Sequence, residues 1–198
     1  EVKCKISVMV DIGRVDPSTI PQKSDSLIDM MRVASYVKDI DKAIELANQI
    51  QAKGYEATIN LMAVSHARER ELDEALIQVE RESNVDALYL VDSFGALYSE
   101  QISHLAKKYK SLMPTKEIGI HAHNNQQLAF SNTIEAIIQN VNYLDGTIFG
   151  IGRAAGNCPL ELLLGFLKNP KYDLRPILEI LESHFVKLKE EIEWGYTI

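Results

Sequence analysis

The sequence has 198 residues and a mass of 22.3 kDa, with 21 Lys and Arg against 28 Asp and Glu, a formal net charge of −7. That acidic balance argues against a nucleic-acid binder, which needs a cationic face for phosphates. With 46% hydrophobic and 25% charged residues, the composition is that of a globular chain with enough length for a sizeable core. The longest mostly apolar run, 160–167, falls far short of the roughly 20 residues of a membrane helix. No basic segment followed by an apolar one opens the chain, so no secretory signal is visible. Cys4 and Cys158 are too few for a disulfide framework and fit reduced thiols in a cytoplasmic protein.

Taken in order, the elements alternate. Residues 5–10 (KISVMV) form a short β-branched run ended by Asp11, Gly13 and Pro17. Residues 28–34 are a second strand candidate. Apolar residues at Ile40, Ala43, Ile44, Ala47 and Ile50 give helical spacing over 39–53, with Gly54 as the C-terminal stop. Strand 57–64, an amphipathic helix over 67–82, strand 85–91 and a helix over 99–110 follow. Then come strand 117–123, helix 126–140, strand 143–149, helix 159–167 with its proline in the first turn, and a long helix over 175–194. Six largely apolar strands with interposed helices predict a parallel sheet covered by helices. Two architectures compete, an open doubly wound sheet and a (β/α)8 barrel. Both place ligands beyond the strand C-termini.

Polar residues collect there. His121 and His123 (HAH) stand two apart on a strand, so both point to one face. They could share one divalent cation, completed by a carboxylate or amide from another strand; the alternative is a hydrogen-bonded polar pair at a sheet end. The loop from Gly150 to Pro159 holds Gly150, Gly152 and Gly156, which permits positive φ and close approach to a ligand. The alternative there is a flexible loop with Asn157 capping the next helix. Asp92 or Ser93 could bind a ligand or cap locally. Arg32 lies inside an apolar strand, either in a polar barrel mouth or at an edge reaching solvent. Asp145 and Thr147 share a strand face. His66, His104 and His184 read as surface residues. Cys158 lacks a basic partner and is no nucleophile candidate.

These stretches together resemble a known family. MMRVAS (30–35), INLMAVSH (59–66), YLVDSFGA (89–96), GIHAHNNQQLAFSNTIEA (119–136) and LDGTIFGIGRAAGNCPLE (144–161) are similar to the metal-dependent aldolase/lyase superfamily of TIM barrels. That superfamily includes 4-hydroxy-2-oxovalerate aldolase, HMG-CoA lyase and 2-isopropylmalate synthase, and the 4-hydroxy-2-oxovalerate aldolase branch gives the nearest pattern. The resemblance covers roughly residues 3 to 168. It implies that His121 and His123 bind a divalent metal, Mn2+ or Mg2+, with Asn157 completing the shell. It implies that Ser93 lines a keto-acid pocket, with Gly150 and Gly152 in the loop that closes near it. The implied reaction cleaves or forms a C–C bond in a small 2-keto acid, leaving pyruvate as an enolate whose charge the metal stabilises. Neither ligating histidine could serve as the base, because its lone pair is committed to the metal.

The sequence also departs from that pattern. The family's first strand carries an Arg-Asp pair, of which the Asp is a metal ligand and the Arg stabilises the enolate; no such dipeptide occurs here at a strand end. Arg14 and Asp16 follow what aligns as family strand three, so the role is not carried over. The six visible strands align as family strands three to eight, and the catalytic pair belongs to the two units not seen. A barrel of about 250 residues uses roughly 30 per βα unit, so roughly 60 residues are unaccounted for. The expectation is either a further N-terminal stretch or an open sheet whose edge another chain covers. Residues 1–170 are read as a partial (β/α)8 catalytic domain and 171–198 as a C-terminal helical extension, with 175–198 either a helix packed on its own barrel, the preferred reading, or a homodimer contact through Trp194 and Tyr196. Two other functions are compatible with these residues: an acyl-CoA-dependent condensing synthase, and a non-catalytic barrel homologue acting as a scaffold.

Overall fold

The structure, a computed structural model, describes residues 4–196. Its six strands are β1 (Ser7–Asp11), β2 (Met30–Tyr36), β3 (Glu56–Met62), β4 (Ala87–Asp92), β5 (Glu117–Ala122) and β6 (Tyr143–Leu144). All pair in parallel, in the order β1-β2-β3-β4-β5-β6. A doubly wound sheet reverses its order at a switch point. Here every strand lies beside its predecessor, as the staves of a barrel wall do, so the chain is a partial TIM barrel. Among the described residues β1 and β6 are the edges of an open arc, since six staves cannot close a wall built for eight.

The helices are α1 (Ile40–Ala52), α2 (Glu69–Glu82), α3 (Ser99–Leu112), α4 (Ala129–Ile138), α5 (Leu160–Leu167), α6 (Arg175–Ile180) and α7 (Val186–Glu191). Helices α1 to α4 bury one stripe each on the outer side of the sheet. Strand residues Val33, Ile59, Leu61, Leu88, Leu90, Ile118 and Ile120 meet Ile44 and Ile50 of α1, Leu76 and Val79 of α2, and Ile102 and Tyr109 of α3 in one continuous core. Because strand side chains alternate, the intervening residues face the barrel interior. There Ala87, Tyr89 and Val91 form a second, small cluster with Met62 and Tyr143. The polar residues Arg32, Asn60 and His121 share that inner face by register. The inner face is thus too polar to be a second core and supplies the material of a site.

Several elements differ from the sequence-based expectation, each for a local reason. The strand predicted over 143–149 stops at Leu144. Beyond it Thr147 pairs with the returning chain, donating from its N–H to the Cys158 carbonyl and accepting from the Leu160 N–H. The helix predicted from 126 starts at Ala129, because Gln127 is left-handed (φ 62°) and the Asn124 side chain accepts the Ala129 N–H. The helix predicted over 175–194 is three short segments, α6, a π-helical stretch Leu181–Phe185 and α7, and Trp194 lies beyond it. Asn157 caps no helix; Pro159 stands at that position without a side-chain cap. Gly54 does end α1 as expected, with φ 92°.

Candidate functional site

The C-terminal ends of β1 to β5 open into a cavity of about 290 Å3 lined by residues that include Asp11, Tyr36, Met62, Ser93, Phe94, His121, His123 and Arg153. Beneath it lies an ion-pair network. Arg32 of β2 reaches across the interior and donates from both terminal nitrogens to Asp145, at 3.1 and 2.6 Å. Its Nε donates to Asn60 Oδ1 at 3.3 Å, and its guanidinium stacks 4.2 Å above the centre of the Tyr89 ring. Tyr89 in turn needs a glycine beneath it: a Cβ on Gly119 would come within 2.5 Å of the ring. The same Asp145 carboxylate meets His121 Nδ1 at 2.8 Å.

This arrangement decides the protonation states. Burial pushes the Asp145 carboxyl up, but the hydrogen bonds from His121 and Arg32 outweigh it and hold the acid below its ordinary range. An ionised carboxylate accepts, so the His121 Nδ1–H donates to Asp145, and Nε2 is the ring nitrogen left for another partner. A carboxylate behind an imidazole is the usual support of a metal-ligating histidine. Burial above all, with His121 and Arg153 nearby, pulls His123 down to about 4, so that ring is neutral at physiological pH. The two rings meet edge to face, 5.0 Å apart.

Asn157 comes to the same place. Its backbone bridges to His123, and its Nδ2 donates to the Ile151 carbonyl at 3.0 Å. That leaves Asn157 Oδ1 buried without a partner, as is His123 Nδ1. Buried polar atoms are normally satisfied, and two orphaned polar atoms, a ring nitrogen and an amide oxygen, beside an oriented imidazole fit a divalent cation of borderline character. The fit is a partial shell, because among the described residues no group of three or more His, Cys, Asp or Glu is placed to hold a metal.

The other expected residues fall as follows. Ser93 lines the cavity, and its hydroxyl accepts the N–H of the left-handed Ala63 at 2.9 Å. Gly150 and Gly152 stand behind Asn157. A Cβ on Gly152 would collide with the Asn157 amide, and Gly150, at φ 62°, turns the chain so that its carbonyl accepts the Asn157 N–H. Asp92 caps locally, accepting from the Ala96 and Leu97 N–H groups. Arg14 pairs with Asp11, and Asp16 caps a short turn. His66, His104 and His184 are exposed. Thr147, expected beside Asp145, is held at the loop instead. Sequence reasoning missed Asn60, Tyr89 and Arg153, and did not join Arg32 to Asp145.

Two solution properties follow. Wild type is expected to lose stability relative to His123→Gln as the pH falls from about 6.5, the ordinary histidine value, toward about 4. In that window the unfolded chain binds a proton that the folded histidine refuses, so acid favours unfolding. Thermal midpoints of both proteins across the window check it, and a constant difference refutes it. Cys158 is buried, and burial pushes its thiol up to about 11, whereas Cys4 is exposed. An aromatic disulfide reagent is expected to modify Cys4 at least about a hundredfold faster than Cys158 in native protein, as peptide mapping would show.

The fold and the site define a parallel α/β barrel segment with a polar, histidine-bearing centre at the strand C-termini. The sequence model of the HMGL-like family matches residues 13–183, and the chain belongs to that aldolase/lyase family. It is 28% identical over 184 residues to a 4-hydroxy-2-oxovalerate aldolase of Thermus thermophilus, covering 91% of this chain and 53% of that protein. An oxaloacetate decarboxylase of Mycobacterium tuberculosis is 30% identical over 141 residues, 71% of this chain and 41% of that one. The crystal structure of the N-terminal domain of a candidate aldolase from Bacteroides vulgatus superposes with a TM-score of 0.84 at 30% identity, covering 98% of this chain and 66% of that one. The chain spans about half the length of the curated relatives it matches. No helix among the described residues is long and apolar enough to cross a membrane.

Proposed function

We propose that this chain supplies most of the active-site wall of a divalent-metal-dependent carbon–carbon lyase acting on a small 2-keto acid. The reading rests on one observation above others: His123 and Asn157, joined by a backbone bridge, each bury a polar atom with no partner, beside a His121 whose Nδ1 Asp145 holds. His121, His123 and Asn157 would hold the metal, Mn2+ or Mg2+. When bound it would withdraw electron density from the keto oxygen and carboxylate of the substrate and so stabilise the charge left by bond cleavage. The chain's own residues prepare that step. Asp145 keeps the His121 proton on Nδ1, Arg32 keeps Asp145 ionised, and Ser93 forms part of the pocket wall. The relatives' names, an aldolase and a decarboxylase, both denote cleavage of a C–C bond in a 2-keto acid and support the same class.

We assign residues 1–170 to the barrel and 171–198 to an extension that rests on it. The test is metal analysis of the full-length protein together with pyruvate release from 4-hydroxy-2-keto acids. One divalent ion per chain is expected in wild type, with loss of the ion and about a hundredfold or greater loss of turnover in His121→Ala. Full turnover by His121→Ala, or a wild type that binds no divalent ion, would sink the proposal.

A further inference from the structure

Arg153 sits on the glycine loop at the cavity mouth. Its Nη2 donates to the Ser93 carbonyl at 3.1 Å, which ties the guanidinium to the C-terminal end of β4. A guanidinium has five donors, so most of them remain available. Among the described residues no carboxylate forms an ion pair with it, whereas the other charged side chain lining the cavity, Asp11, is paired with Arg14. Arg32, the remaining cation of the region, is neutralised by Asp145. Of the two charged side chains that line the cavity, Arg153 is therefore the one without a charged partner among the described residues. Between rim and histidines the wall is apolar, formed by Phe94, Tyr36, Met62 and Met9. The volume of about 290 Å3 lies at the small end of ligand pockets.

We propose that Arg153 is a specificity-determining residue that receives a second carboxylate, so that the natural substrate is a short-chain keto acid carrying a distal carboxylate rather than a neutral tail. The inference rests on the proposed 2-keto-acid reading and extends it. The keto-acid end occupies the histidine side, a few apolar carbons cross the Phe94 and Met62 wall, and the far carboxylate meets the free fork of Arg153. A fork matches a carboxylate bidentately, which a lysine does not.

The test compares two five-carbon probes, 2-oxoglutarate and 2-oxovalerate, which differ only at the distal end. Their binding to full-length protein with Mn2+ is measured by calorimetry. Wild type is expected to prefer 2-oxoglutarate by about tenfold, the usual worth of a charge-assisted hydrogen bond. The preference is expected to shrink as salt rises, to fall to about one in Arg153→Gln, and to recover partly in Arg153→Lys. A wild type that binds both probes equally, or neither, overturns the inference, as does an Arg153→Gln variant that keeps the preference. Failure of the parent reading looks different: no hydroxy-keto acid is cleaved, yet the binding preference and its dependence on Arg153 persist.

Discussion

Asp145→Asn is expected to destabilise the protein by about 3 kcal/mol and to lower its thermal midpoint by about 6–12 °C. The reason is what remains behind. Arg32 and Asp145 are each only 18% exposed, so removal of the anion strands a largely buried guanidinium. The new amide also turns an N–H group toward the donors of Arg32 or of His121. The figure is set at the lower end of the range for a broken buried pair because both side chains retain some solvent. The double variant Arg32→Met, Asp145→Leu is expected to recover most of the stability, since replacement of a whole ion pair by apolar groups of similar volume is often neutral. It should not recover function. Without the carboxylate, nothing keeps the His121 proton on Nδ1, and divalent-metal affinity in the full-length protein should fall by about ten- to a hundredfold. Calorimetric unfolding and metal titration of the three proteins separate the two effects. A double variant that binds metal as wild type does would show that Asp145 has no orienting role.

The same network shows what a sequence reveals and what it hides. The strands and helices were legible because their signal is local: apolar residues at a period of two or of 3.6 show within a dozen residues. His121 and His123 were legible for the same reason, two positions on one strand. Arg32 and Asp145 lie 113 residues apart, and no short window contains both. A signal was nonetheless present. An arginine inside an apolar strand must find a buried anion, and Asp145 was the acid expected to face the same interior. Tyr89 gave no such sign, because an aromatic residue in an apolar strand reads as core; only its contact with Gly119 and Arg32 shows it as the floor of the site. The end of the last strand was misread because Thr147 exchanges sheet pairing for pairing with residues 158–160, a partner set by tertiary position. The partial barrel was legible through motif order, since each matched stretch falls at a strand C-terminus in turn.

The C-terminal segment carries the second large effect. Trp194 is 3% exposed. Its indole N–H donates to the Phe149 carbonyl at 2.9 Å, and its ring packs edge-on against Phe149. The next residue, Gly195, donates to the Ala154 carbonyl at 2.9 Å, and Lys189 places its ammonium over both aromatic rings. Trp194 therefore rests on its own barrel, while Tyr196 stays exposed. The loop so braced is strained, with Phe149 and Ala154 both left-handed at φ 55° and 52°, and such conformations persist only where surrounding contacts impose them. It is also the loop that carries Arg153 and Asn157. Trp194→Ala is expected to cost about 3 kcal/mol, at the low end for a buried tryptophan because the tail can detach locally. The amides of Gly150 and Asn157, which close the loop on Thr147 and Gly150, should exchange with solvent at least about tenfold faster. Those of β3 and β4 should be unaffected, since local opening leaves the sheet core closed. Trp194→Phe should keep the packing, lose the hydrogen bond and cost about 1 kcal/mol. Because Trp194 is the sole tryptophan, the intrinsic fluorescence of wild type reports this contact directly, and a divalent ion drawn to Asn157 should shift it by ordering the loop. Hydrogen exchange across 149–157 that is identical in wild type and Trp194→Ala would mean that the tail lies against the loop without holding it.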